Sequence, residues 1–212
     1  MTAAVPTTPT SQDLRRVIDD LLVRFAVLPD DAWEAPAAGL DWTCRDTLGH
    51  LLDDFGFYAM QLSGVNPPQT SYVELLEPAP WRDGSPPIVF WPDPATGTRG
   101  ILSALDATGG LLVAVTATAP PERRGFHPAG LSDRTGFAAM GIVEAVAHAH
   151  DILSAHDVSY AADADICGRA LDRLFPDAAR TGDPWHDLLA ATGRTPQTRG
   201  TAWRWYASVP SD

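Results

Sequence analysis

The sequence predicts an all-α fold: a four-helix bundle with a long crossover and short C-terminal helices. Three observations carry this. Four long segments repeat apolar residues at helical spacing, two long connections separate some of them, and helix start and stop signals fall at their ends. At 212 residues the chain suits one domain, with a core of about residues 10–195 and a tail of 196–212. Such a chain buries roughly 70% of its unfolded surface and needs no disulfide staples.

The first helix begins near Ser11, where Leu14, Val17, Ile18, Leu21, Leu22 and Phe25 make one apolar stripe in "SQDLRRVIDDLLVRFAVL". A connection, "PDDAWEAPAAGLDW", follows. Thr43 opens the second helix as "TCRD", a capping box with Asp46 at the third position, and Leu48, Leu51, Leu52, Phe55, Ala59 and Leu62 carry it to about residue 63. Residues 65–97 hold many prolines and read as an irregular crossover ordered by Trp81, Phe90 and Trp91. A third helix spans about 98–117, weakened by Gly109 and Gly110, and a fourth runs from about Asp133 to His156. Shorter helices are expected near 164–175 and 183–192, the last stopped by Gly193. The tail "GTAWRWYASV" reads as one strand or an extended cover.

Composition narrows the function. The formal net charge is −12 with no basic stripe, which excludes a nucleic-acid partner. All fifteen basic residues are arginine, so Schiff-base chemistry and a lysine base are excluded. The two cysteines, Cys44 and Cys167, lack CxxC spacing, as suits a reducing cytoplasm without a thiolate zinc site. The start "MTAAVPTTPTS" is no secretory signal, and no run reaches about 18 uninterrupted apolar residues. A cytoplasmic protein without a membrane partner is expected, and a homodimer is left open.

The chemistry concentrates in "IVEAVAHAHDILSAH", residues 142–156. Glu144 and His148, four apart, share a helix face and can converge on one cation. His150 points roughly 160° away from His148 and His156 lies about 80° around, so both read as bystanders. A Glu/His pair of this spacing is also common on solvated faces. Here Phe137, Met140, Gly141 and Ala155 share the face, so the carboxylate is expected inside, where it requires a partner. Asp151 lies on this face too, as an additional ligand or an outer acceptor that orients an imidazole.

A third ligand must come from another helix, and the second offers His50. On a lone wheel His50 sits roughly 140–160° from Leu48, Leu52 and Phe55, with Asp54 and Phe57 nearer it, which makes it a solvated residue. It meets Glu144 and His148 only if the second helix is covered on both sides. Asp54, one turn on, is either half of a solvated pair with Asp53 or an orienter of His50.

"WTCRDTLGHL" followed nearly a hundred residues later by "EAVAHAHD" resembles the DinB-like bundle superfamily, and more narrowly the N-terminal domain of mycothiol-dependent maleylpyruvate isomerases. The matching positions are Trp42, Thr43, Asp46, His50 and Leu51, then Glu144, His148 and Asp151; "PWHDLLAATGR" resembles a further segment of that group. The resemblance implies a divalent metal, zinc first and nickel second, bound by His50, Glu144 and His148 with an open position for water. It also implies a bundle in which the second helix is covered on both sides. Those isomerases carry a second domain that supplies an arginine; the residues after the bundle are too few for it, and Arg199 and Arg204 are the tail arginines able to reach inward.

The resulting expectation is a metal-dependent enzyme that activates a small thiol, mycothiol as co-substrate, for S-transfer or cis–trans isomerisation of a small electrophile, transfer being ranked first. His50, Glu144 and His148 would hold the metal, with Asp151 and Asp54 beside them. The alternatives are a non-catalytic metal- or ligand-binding bundle with a stress or accessory role, and a biosynthetic enzyme on the same scaffold. Cys44, in the first turn of the second helix, is either a reactive thiol or, preferred, a small packed residue; Cys167 reads as core. His127 either lines a pocket mouth or, preferred, is a surface loop residue; His186 reads as a surface residue, and tryptophans 81, 91, 185, 203 and 205 as pocket walls or as core and lid packing.

Overall fold

The computed structural model describes residues 7–75, 80, 83–201 and 203–209, and among these the regular structure is helical, with no strand. The helices are α1 (Ser11–Phe25), α2 (Cys44–Ser63), α3 (Gly97–Thr118), α4 (Arg134–Ser154), α5 (Ala164–Leu174) and α6 (Pro184–Ala191). Thr10 and Asp13 cap α1 reciprocally, and Thr43 and Asp46 do the same for α2. Leu14, Val17, Ile18, Leu21 and Phe25 form the buried stripe of α1. In contrast, α2 buries 15 of its 20 residues and α4 buries 17 of its 21, so both are covered nearly all round.

The polarity of the bundle follows from two contacts. In the connection after α1, the buried Trp33 meets Phe25 edge-on at 5.5 Å and donates its indole N–H to Thr98 Oγ1 at 2.9 Å, joining the end of α1 to the start of α3. The Ala38 N–H donates to the Asp151 carbonyl at 2.9 Å, joining the entry to α2 to the end of α4. Thus α1 and α4 finish at the end where α2 and α3 begin. Consecutive α2 and α3 therefore run parallel, which no short turn can accomplish, and the chain must return the length of the bundle between them.

That return covers the outer face of α2. Gly49 and Gly56 leave room for it: a methyl group at Gly49 would collide with Ile88 and Trp91, and one at Gly56 with Phe90. Between them, Asp53 Oδ1 accepts the backbone N–H groups of Val89 (2.8 Å) and Phe90 (2.7 Å). Phe90 and Trp91 thus order the crossover as expected, while Trp81 lies outside the described residues.

Gly109 and Gly110 do not interrupt α3; Gly109 is buried against Ile18, where a side chain would come within 2.7 Å of Cδ1. By length and composition Pro94–Thr118 would suffice to cross a membrane, but here it lies along α1 and α2.

Beyond the bundle, α5 packs on α4 and is tied to α1 by Arg169, which grips Asp13 at 2.6 and 3.2 Å. Helix α6 packs on α5 and ends in a left-handed turn. Gly193 has φ +74°, its N–H donates to the Ala190 carbonyl, and the Arg194 N–H donates to the Leu189 carbonyl. Residues 203–209 form an extended cover: Tyr206 and Ala207 donate backbone N–H groups to Leu174 and Ala129, and Arg173 donates to the carbonyls of Tyr206, Ala207 and Ser208.

Candidate metal centre

Because α2 and α4 run antiparallel with both faces covered, His50 in the second turn of α2 faces the last three turns of α4. His50, Glu144 and His148 each present a ligand atom, and the three atoms lie within 4.8 Å of one another. His148 Nε2 is 3.2 Å from Glu144 Oε2, and the His50 and His148 rings stand edge-to-face with centroids 5.3 Å apart. The lone-wheel expectation of a solvated His50 holds only in part: its side chain keeps 32% exposure, with the Trp42 ring 5.2 Å from the imidazole and His148 5.3 Å away, while the crossover packs on the neighbouring Gly49.

Two aspartates stand beside this group in different ways. Asp151 Oδ2 lies 3.1 Å from His148 Nδ1, on the opposite side of the ring from Glu144. It therefore touches the imidazole from behind and does not join the three converging atoms. Asp54 Oδ2 is 3.3 Å from His50 Nε2, is shut off from solvent, and makes no hydrogen bond.

Burial depresses His50 to about 4, with the neighbouring His148 adding to the effect. Burial alone would raise Glu144, but the hydrogen bond from His148 and its charge hold the carboxyl below its ordinary value. Conversely, burial opposes charge on His148, and the hydrogen bonds and charges of Asp151 and Glu144 outweigh it and raise the imidazole. Burial, reinforced by Glu144 and Asp53, pushes Asp54 well above the usual carboxylate range. Two imidazoles and an anionic carboxylate converging beside an unbonded buried oxygen suit a divalent cation. Three protein donors are also the number that leaves an open position.

The group opens into a cavity of about 540 Å3, which reaches from Trp42 and Leu40 to the segment after α6. His150 lines this cavity, so its expected role as a bystander holds for the three converging donors but not for the cavity wall. Its ring packs on Trp185 at 5.9 Å, and burial lowers its basicity. Of the two tail arginines, Arg199 lines this cavity, whereas Arg204 borders a separate depression of about 350 Å3 with His127 and Trp205. His127 is not a free surface residue: its ring lies between Tyr58 and Trp205, its Nδ1 accepts from the Ala129 N–H, and burial depresses it to about 4. Trp203 also lines the main cavity.

Cys44 and Cys167 are fully buried, and burial pushes the two thiols up to about 11 and about 12. Cys44 Sγ sits 3.8 Å from His156 Nε2. His186 is exposed, as expected.

Sequence reasoning missed one residue of the centre altogether. Arg194 grips Asp151 with Nε at 3.0 and 3.2 Å and Nη2 at 2.7 Å. Its signals were its place directly after the helix-stopping Gly193 and its position at the end of "PWHDLLAATGR", a segment whose resemblance gives no role to the arginine.

Comparison with known families gives a match between residues 14–153 and the family described as the mycothiol maleylpyruvate isomerase N-terminal domain, about two thirds of the chain. The match runs through α1 to α4 and contains His50, Glu144, His148 and Asp151. Neither the curated proteins nor the solved structures gave a match.

Proposed function

The chain belongs to the mycothiol maleylpyruvate isomerase N-terminal domain family, and from that premise we propose that it is a divalent-metal-dependent enzyme acting on a low-molecular-weight thiol, with mycothiol as co-substrate. The observation that supports this best is the convergence of His50, Glu144 and His148 at the floor of a cavity large enough for a small molecule. These three would hold the metal, zinc by their N and O donor set, with nickel as the alternative. A bound ion of this kind supplies Lewis acidity and keeps a thiol ionised at neutral pH.

The chain's own residues do the rest. Asp151 fixes the His148 ring through Nδ1, so that Nε2 faces the cavity. Asp54 stands 3.3 Å from His50, and burial raises its carboxyl, so it is the group beside the site best suited to exchange a proton. Trp42 and the covering segment after α6 restrict water. A sulfur anion in that setting adds to an electrophilic carbon. The displaced electron pair moves into the substrate's conjugated acceptor. If the adduct then takes up the proton given up by the thiol, or expels a leaving group such as chloride, the result is S-transfer. If the sulfur leaves again after rotation about the former double bond, the pair returns and the result is cis–trans isomerisation. We place transfer first, in the cytoplasm.

Elemental analysis of purified wild type, His148→Ala and His150→Ala tests the metal part. About one equivalent is expected in wild type and His150→Ala, with little in His148→Ala. No metal in any of the three after incubation with zinc or nickel would sink the metalloenzyme reading. Consumption of mycothiol with a chloronitrobenzene electrophile then separates an enzyme from a bundle that binds metal without turnover.

A further inference from the structure

Asp151 is 2% exposed and carries a carboxylate into the interior, a placement that demands compensation. His148 alone is insufficient, because it offers one N–H to one oxygen. The guanidinium of Arg194 supplies the remainder, meeting both carboxylate oxygens with two nitrogens. Its position is set by its backbone. The left-handed Gly193 ends α6 and turns the chain so that Arg194 points back across the cavity to α4, while its third nitrogen, Nη1, donates to the Thr192 carbonyl at 2.9 Å. Arg194 lies 41 residues beyond the family-matched segment, and the resemblance of "PWHDLLAATGR", which ends in it, gives it no role.

We propose that Arg194 is a positioning residue of the metal centre: it pins Asp151 in the orientation that accepts the His148 Nδ1–H and so turns Nε2 toward Glu144 and His50. The inference rests on the metal reading above. An imidazole binds metal through the nitrogen that lacks a proton, and the partner of the other nitrogen decides which one that is. Without Arg194, the Asp151 carboxylate is free to swing toward water in the cavity, and the imidazole loses the contact that fixes its tautomer. The covering segment after α6 thereby belongs to the metal centre: Arg194 hydrogen-bonds Asp151, and its charge also helps to hold Glu144 ionised.

The test is zinc affinity, measured on the full chain by competition with a chromophoric chelator for wild type, Arg194→Ala, Asp151→Asn and the double variant. Loss of a partner behind a metal-bound histidine weakens binding by roughly 10–100-fold, and Arg194→Ala should fall in that range. If Arg194 acts through Asp151, the double variant binds no more weakly than Asp151→Asn alone. Wild-type affinity in Arg194→Ala would overturn the proposal. So would an undiminished Arg194→Ala effect in the Asp151→Asn background, since that would mean the arginine merely anchors the loop through Thr192. Should Arg194→Ala fail to fold, Arg194→Lys and Arg194→Gln replace it in the same cycle, with lysine expected to retain more affinity than glutamine. A wild-type chain that takes up no zinc overturns the metal reading itself, and that is seen before any variant is compared.

Discussion

Replacing Asp53 with alanine should unfasten the crossover from α2. The carboxylate is 8% exposed and accepts two backbone N–H groups, from Val89 at 2.8 Å and Phe90 at 2.7 Å. A hydrogen bond to a charged acceptor contributes about 1.5–3 kcal/mol. The Val89 residue is 39% exposed, so water partly replaces its lost acceptor, whereas Phe90 is half-buried against Gly56. Weighing the two, Asp53→Ala should cost about 2–4 kcal/mol. In a chain of this size that corresponds to a fall in Tm of about 5–12 °C. Urea denaturation followed by circular dichroism measures it. Asp53→Asn, which keeps one acceptor oxygen, should lose about half as much. If Asp53→Ala stays within about 0.5 kcal/mol of wild type, the crossover is held by Phe90 and Trp91 packing alone and the reasoning is wrong.

Two further expectations concern titration and thiols. His50 and His127 are both depressed to about 4 by burial, while an unfolded imidazole takes up its proton near 6.5. The unfolded state therefore binds more protons throughout that window, and stability should fall as pH drops from about 6.5 to 4. His127→Gln should flatten this acid limb in denaturation curves at pH 7 and 5; an unchanged slope would show that His127 is not buried as described. Cys44 and Cys167 should resist a disulfide reagent at pH 8 in the folded protein and react fully in denaturant, since burial keeps both thiols protonated. Rapid labelling of Cys44 in the native state would revive it as a reactive thiol.

The bundle was legible because helical signals are local. The α1 stripe, the "TCRD" cap and the glycine stop after α6 each act within a few residues, and each appears where the sequence places it. His50 was not legible from its own helix. A wheel assumes one wet face, and α2 has none over most of its length because a segment some forty residues later covers it. The family motif, not periodicity, pointed to the meeting of His50 with Glu144 and His148. Arg194 was hidden for a related reason: its partner Asp151 is 43 residues away, and only the turn at Gly193 brings the two together. His150 shows the limit of angular counting, which separated it from His148 but gave no account of how far the cavity extends around the end of α4.

The parallel course of α2 and α3 also dictates when the centre can exist. His50 and Glu144 are nearly a hundred residues apart, and the helices that carry them meet only after the crossover has been laid down and α3 has been placed. Closing so long a loop is a late entropic cost in folding, met once several long-range contacts are in place together. A nascent chain that has emerged only through α3 holds one of the three donors. On the metal reading, an ion supplied during synthesis meets one donor first and the Glu144–His148 pair once α4 has formed, and it finds all three only when the bundle closes, so full binding should trail folding.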